Sequence, residues 1–287
     1  ENPFPAVCGR VCFHPCEVLC NRGNYDEPVA IHTMERFLAD TAFRYDFHPS
    51  AKSVPSQNER IAIAGGGPAG LAAAWFLTRL GYPCDVHEAA PELGGVLRWG
   101  IPAYRLPKDA IIQDLRRLQE EGIGIFTNKK VDEHFLSDHD APYAAFIVAC
   151  GHGRGQKMGI PGENEADVIE GLDFLRNIRE EKPVSCDGTT AVIGGGNTAI
   201  DVARSVIRLE GKAIIYYRRR RQDMPAFEEE IQMALEEGAT IVELVAPAEI
   251  KRDKNQILLS LQKMAVSGEE SGRARVVPDG TNAEMVK

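Results

Sequence analysis

Four apolar residues, Ile61–Ala64, run without a break into Gly65-Gly66-Gly67-Pro68-Ala69-Gly70, and behind them Leu71, Trp75, Leu77 and Leu80 recur at helical spacing. The pattern predicts strand, turn, helix. Gly81 stops the helix, and Cys84–His87 forms a second short strand that ends at Glu88. A helix follows from about Pro107 to Glu121, stopped by Gly122, then strands at Gly124–Thr127 and Ala144–Ala149. The opening unit then recurs: Thr190 to Arg218 repeats strand, Gly194-x-Gly196-x-x-Ala199, helix, glycine, strand. Beyond it the pattern predicts an amphipathic helix over Ala226–Glu237 and a strand over Thr240–Leu244. Alternating segments at Gln256–Met264 and Arg273–Val277 suggest antiparallel strands.

The first 55 residues lack this alternation. They hold four clustered cysteines, then a helical stripe over Ala30–Ala42 (Ile31, Met34, Phe37, Leu38), then a polar linker from Ser50 to Glu59. The expected organisation is α/β: a small helical module over 1–55 and two nucleotide-binding domains over 56–185 and 186–287.

The glycines carry the chemistry of the repeated unit. Gly65 allows the tight turn, Gly67 lets a pyrophosphate approach the backbone, and Gly70 lets the helix pack against the strand, while the helix N-terminus offers N–H groups to the phosphates. A glycine-rich turn alone is the bland alternative. The strand before, the helix after and the acid 23 positions beyond Gly65 argue for a Rossmann-like dinucleotide site. Glu88 is placed to accept ribose hydroxyls. The second unit has Tyr217-Arg218-Arg219 there, and arginine suits a 2′-phosphate, which guanidinium clamps bidentately. The first site is therefore expected to take an adenosine without that phosphate and the second NADP(H), and a chain with two such units usually holds a flavin on one and a nicotinamide on the other. A solvated basic turn is the alternative for Arg218 to Arg221. The segment Gly94 to Pro107 reads either as backbone and one arginine laid against a flavin or as a long surface loop.

Composition narrows the classes. A net charge of −9 argues against a general nucleic-acid binder, and no apolar run approaches a membrane span. No secretory leader opens the sequence, and Glu1 rather than Met leads to the expectation of a piece of something longer. There is no His-Glu-x-x-His, no Cys-x-x-Cys and no Ser/His/Asp spacing, so no side chain stands out as catalytic and the dispersed histidines read as surface or packing residues. Cys8, Cys12, Cys16 and Cys20 recur every four residues, with Gly9 and Pro15 breaking any simple helix. Four thiolates this close suit an iron–sulfur cluster; structural zinc and unligated thiols are the alternatives. Disulfides fit poorly in the reducing, cytoplasmic setting expected of such an enzyme. An iron–sulfur centre fits best beside a flavin, which turns a two-electron hydride into single electrons.

The run CGRVC…PCE…C, then GGGPAGLAAA, ELGGVLRWGIPAYRLP, GGGNTAID and YRRRRQDMPA, resembles the small subunit of NADPH-dependent glutamate synthase and its relatives, among them the NADPH-binding end of dihydropyrimidine dehydrogenase. The resemblance covers nearly the whole chain. It implies FAD at Gly65, Gly67, Pro68, Ala69, Glu88, Gly95, Leu97 and Arg105, and NADPH at Gly194, Gly196, Asn197, Thr198, Arg218 and Arg219. It implies 4Fe-4S ligation at Cys8, Cys12, Cys16 and Cys20. The family usually has further cysteines upstream, with ligands exchanged between two clusters, and in some relatives the position matching Glu35 completes one. It also returns to its FAD domain after the NADPH domain, a return this sequence lacks. The implied function is an electron-transferring flavoprotein subunit exchanging electrons between NADPH and a partner subunit, in a hetero-oligomer. A thioredoxin-reductase-like disulfide reductase and a non-catalytic docking subunit are the rivals.

Overall fold

The computed structural model describes residues 2–47, 54–137, 142–153, 155–254, 256–270, 272–281 and 284–286. The chain divides into two compact units, Glu1–Gly153 and Arg154–Lys287. The linker expected over Ser50–Glu59 lies partly outside the described residues. The division falls earlier than the boundary expected between the two nucleotide-binding domains, and residues 155–185 fold with the second unit.

The first unit runs α1 (Pro5–Val11), α2 (Pro15–Val18), α3 (Ile31–Arg44), β1 (Ile61–Ala64), α4 (Pro68–Arg79), β2 (Cys84–His87), α5 (Val96–Trp99), α6 (Lys108–Glu120), β3 (Gly124–Phe126), α7 (Glu133–Ser137) and β4 (Ala145–Val148). Its sheet is parallel, in the order β3-β2-β1-β4. The unbroken apolar run of β1 follows from that central position, since all four residues are buried. Polar residues in β2 are buried because they are partnered. Asp85 takes the Arg60 guanidinium at 3.0 Å and the Tyr143 hydroxyl at 3.0 Å, and His87 stacks on Phe126.

The N-terminal segment is built into this unit. Phe4, Ala6 and Val7 lie in the same core as Ile63, Trp75 and Leu118. Here the expectation that Gly9 breaks the helix is corrected, because Gly9 sits buried inside α1. Its missing side chain is the reason: a Cβ there would stand 2.6 Å from the Arg36 Cα, so only glycine lets α1 cross α3 this closely. Pro15 opens α2, where a missing N–H costs nothing.

The second unit runs α8 (Gly171–Arg179), β5 (Thr189–Ile193), α9 (Asn197–Arg208), β6 (Lys212–Tyr217), α10 (Glu228–Glu236), β7 (Thr240–Glu243), β8 (Val245–Asp253), β9 (Gln256–Glu270), β10 (Arg273–Pro278) and β11 (Glu284–Val286). Strands β5-β6-β7 form a parallel sheet. The expected antiparallel pairing holds, with β9 against β8, β10 and β11. Among the described residues no helix is long and apolar enough to cross a membrane.

Candidate functional site

In the first unit the chain leaves β1 through Gly65, whose φ of 115° and 2.3 Å approach to the Ala149 carbonyl oxygen, measured from a virtual Cβ, admit no side chain. Gly70 meets the same limit against the Gly65 carbonyl, 2.0 Å away, so helix and strand close on each other. Gly67 is different. A Cβ there would find only the Gly95 Cα, at 3.8 Å, which leaves room beside its backbone. Gly67 is also the backbone N-cap of α4, and no side chain caps that helix, so its first-turn N–H groups face this open space.

Two further segments line the cradle. The Glu88 carboxylate accepts the Gly66 N–H at 2.6 Å with one oxygen and the Ala90 N–H at 2.7 Å with the other. Both oxygens are oriented and each keeps acceptor capacity for a ribose hydroxyl. The Gly94 N–H donates to the Gly66 carbonyl at 2.8 Å, and Gly95 (φ 52°) would put a Cβ 2.9 Å from the Gly67 Cα. The segment that reads as flavin wall or surface loop thus lies directly over the glycine turn. Leu97 and Arg105 are half-buried on the same segment. Pro68 and Ala69 open α4.

The second unit repeats the cradle with a different wall. Gly194 has φ 132°, Gly196 has nothing within 4 Å of a virtual Cβ, and α9 starts at Asn197 with no side-chain cap. In the place of Glu88 stands Tyr217, whose ring lies 2.6 Å from a virtual Gly195 Cβ and whose hydroxyl donates to the Asp223 carbonyl at 2.8 Å. The Asn197 side chain accepts the Phe227 N–H at 3.1 Å and so holds the following loop; Thr198 is the next residue of α9.

The arginine run is not uniform. Arg219 Nε donates to the Ala274 carbonyl at 2.7 Å, Arg220 grips the buried Asp223 at 2.7 and 3.1 Å, and Arg221 pairs with Glu228. The Arg220 pairing holds the Asp223 carboxyl well below its usual range, at about 2. Arg218 is exposed and makes no side-chain hydrogen bond or ion pair among the described residues. Of the run it is the guanidinium left to meet an anion.

Backbone N–H groups reach two of the four cysteines, and the four sulfurs form no single cage. The Cys12 sulfur accepts the His14 N–H at 3.3 Å, and backbone N–H groups of Val29, Arg22 and Gly23 lower the Cys20 thiol from its ordinary value. Burial raises the Cys8 thiol, and Cys16 is exposed. Donors of this kind suit cluster ligands. Among the described residues, however, the only metal-ligating atoms that gather in threes within 4.8 Å are those of His14, Glu17 and His32, so the four sulfurs do not converge on one centre. That trio escaped the sequence reading, which treated the histidines singly. Glu17 accepts the His32 backbone N–H at 2.8 Å at the start of α3, and the two imidazoles stack at 4.0 Å. Glu35 accepts the Asn2 side-chain amide at 2.5 Å.

Residues 59–263, more than half of the chain, match the pyridine nucleotide-disulphide oxidoreductase family. The chain belongs to that family. Residues 1–47 match dihydropyrimidine dehydrogenase domain II, 4Fe-4S cluster. Together the matches bring FAD, NAD(P)H and a 4Fe-4S cluster to the regions where the two cradles and the cysteines lie. The chain is 36% identical over 287 positions to the NADPH-Fe(3+) oxidoreductase subunit beta of Geobacter sulfurreducens, spanning 96% of this chain and 43% of that protein. It is 34% identical over 269 positions to the glutamate synthase [NADPH] small chain of Escherichia coli, spanning 88% of this chain and 57% of that one. The glutamate-synthase-like reading of the motifs is thereby supported, and the chain spans about half the length of these relatives. FprA of Mycobacterium tuberculosis in complex with NADPH superposes with a TM-score of 0.67 at 21% identity, covering 80% of this chain and 69% of that one, a likeness of fold.

Proposed function

We propose that this chain is the pyridine-nucleotide and flavin portion of a cytoplasmic oxidoreductase that exchanges electrons between NADPH and a partner subunit of a hetero-oligomer. The observation that carries the reading is the contrast between the two cradles: a fixed carboxylate, Glu88, at the end of β2, and an uncommitted guanidinium, Arg218, at the end of β6. FAD would rest on Gly65, Gly67, Pro68, Ala69, Glu88, Gly95, Leu97 and Arg105. NADPH would rest on Gly194, Gly196, Asn197, Thr198 and Arg218, with Arg219 contributing less because part of its fork is already used.

A flavin held there would supply the conversion between the two-electron hydride of NADPH and the single electrons that iron–sulfur centres carry. This chain's own part is to bind, orient and hold apart. Glu88 would hold the ribose end and the first turn of α4 would meet the diphosphate, while the Gly94-Gly95 turn lies against Gly66 and Gly67. The spread of Cys8, Cys12, Cys16 and Cys20 favours ligands divided between two clusters, with Glu35 within reach of the same segment, over one four-thiolate cage. The working division would follow the two compact units, with the cluster module of 1–55 built into the first beside the FAD cradle and the second unit serving NADPH. A reducing compartment fits seven free cysteines.

An anaerobic titration of the purified protein tests the reading. Stoichiometric flavin that NADPH bleaches, followed by loss of the broad iron–sulfur absorbance, is the expected result. Flavin without iron, passing its two electrons to a disulfide that becomes a dithiol, would favour a disulfide reductase. Neither chromophore would leave a docking subunit.

A further inference from the structure

Helix α6 touches both the flavin cradle and the cysteine segment. At its start, the Ile111 side chain lies 3.6 Å from a virtual Cβ on Gly94, whose N–H is bonded to the Gly66 carbonyl of the glycine turn. One turn later, Asp114 is 3% exposed, and its carboxylate accepts the Val7 N–H at 2.9 Å and the Ala6 N–H at 3.3 Å. These are N-terminal amides of α1, which has no other side-chain cap and carries Cys8. Another turn on, Arg117 Nη2 donates to the carbonyls of Asn2 and Pro3, both at 2.7 Å. Asn2 in turn accepts the Phe4 N–H at 2.9 Å and faces the Cys8 sulfur at 3.9 Å.

A carboxylate this deeply buried is an expensive way to cap a seven-residue helix. Burial lifts the Asp114 carboxyl to about 6, and the two N–H bonds, Arg117 and Arg10 only partly offset it. Apolar packing of Phe4, Ala6 and Val7 would already hold the segment against the core. What packing cannot give is direction. Hydrogen bonds at both ends of residues 2–8 fix the axial position and rotation of α1, and hence where Cys8 stands relative to the glycine turn.

We propose that Asp114, assisted by Arg117, is a positioning residue for electron transfer: it locks the Cys8 helix at a set separation from the flavin cradle at the other end of α6. This rests on the reading of the first unit as a flavin site coupled to clusters. Electron transfer falls steeply with separation, so a loosened helix lowers the rate without altering either nucleotide site. Hydride transfer from NADPH does not pass through α6.

The test uses the full-length holoprotein with Asp114→Asn, Asp114→Glu and Arg117→Met. Three quantities are followed: amide hydrogen exchange in peptides spanning 4–11, bound flavin with its rate of bleaching by NADPH, and the rate at which the paramagnetic signal of reduced iron–sulfur centres appears. In Asp114→Asn, exchange should rise roughly five- to tenfold, the scale of a lost helix cap. Flavin content and bleaching should be unchanged while the iron–sulfur signal grows several-fold more slowly. Asp114→Glu, which keeps the charge, should fall between, and Arg117→Met should loosen the same peptides. Unchanged exchange, or an unchanged iron–sulfur rate despite faster exchange, overturns the proposal. So does loss of flavin in parallel with loosening, which would make Asp114 part of the domain's stability alone. If the unsubstituted protein holds no iron, the cluster reading fails and the proposal with it, while the exchange data still report whether Asp114 seats α1.

Discussion

The Glu88 carboxylate accepts the Gly66 N–H at 2.6 Å, tying the end of β2 to the middle of the glycine turn. In the second unit the residue in register, Tyr217, covers Gly195 with its ring, and the anion-seeking group moves one position on to Arg218. The same strand–turn–helix frame thus presents acid in one unit and base in the other, and each choice has a separable consequence.

Glu88→Ala removes the ribose acceptor together with the tie to Gly66. Flavin affinity should fall by roughly tenfold or more, about 1.4 kcal/mol. Gly67→Val is the cleaner variant, because its Cβ finds only the Gly95 Cα at 3.8 Å, so the protein should fold normally and yet fill the space a diphosphate needs. The checks are the flavin-to-protein ratio and the circular dichroism spectrum. Stoichiometric flavin in folded Gly67→Val protein would remove the site.

Arg218→Ala should raise the KM for NADPH by about 10- to 100-fold, the range for one charge-assisted bond of roughly 1.5–3 kcal/mol. The KM for NADH should hardly move. Arg219→Ala should have the smaller effect on that ratio, because its Nε is bound to the Ala274 carbonyl. Steady-state kinetics with both nucleotides decides it. An equal loss with NADPH and NADH in Arg218→Ala would make the residue a general surface contact.

Much of this frame is legible in the sequence because its signals are local. Ile61–Ala64 reads as a buried strand from four consecutive apolar residues, and the glycine spacing places the turn. Packing overrides the same local rules elsewhere. Gly9 looks like a helix breaker, but it is where α1 must admit the Arg36 backbone. Pro247 argues against a strand, yet it lies inside β8 at a shift of register against β9, where a missing N–H is tolerated. The charged, nine-residue α8 offers too short an apolar stripe to stand out. Asp114 could not have been found from sequence, since its partners are backbone amides 107 and 108 positions away. The commitments of Arg219, Arg220 and Arg221 likewise reside in the fold, so the run reads as four equal arginines when, among the described residues, Arg218 alone of the four is uncommitted.

The second unit should lose stability in acid through Glu237. Its carboxylate bridges Arg204 at 2.8 and 3.0 Å and Arg208 at 2.8 Å, and these pairings hold it down at about 2, from an ordinary 4.5. A folded value below the unfolded one means the contribution is whole above about 4.5 and drains away as pH falls through 2. Glu237→Gln should therefore destabilise at neutral pH, by roughly 1–3 kcal/mol because it strips a partner from the buried Arg204. It should also flatten the acid limb. Thermal melts from pH 7 to 2 check both. A variant that keeps the full acid dependence would show that other carboxylates set it.

The cysteines supply the last prediction. If Cys12 and Cys20, both of which accept backbone N–H groups, bind clusters, Cys20→Ser should cost iron and acid-labile sulfide in anaerobically purified protein. Cys12→Ser and Cys16→Ser should abolish delivery of electrons to the partner and leave bleaching of the flavin by NADPH largely intact, because hydride transfer uses only the two cradles. Ligands divided between two clusters add a quantitative expectation: a single substitution should remove about half of the iron, whereas one shared cage would lose all of it. Iron analysis of each serine variant measures this directly. Zinc in place of iron, or undiminished delivery, would reduce the segment to a structural clip held on α6 by Asp114.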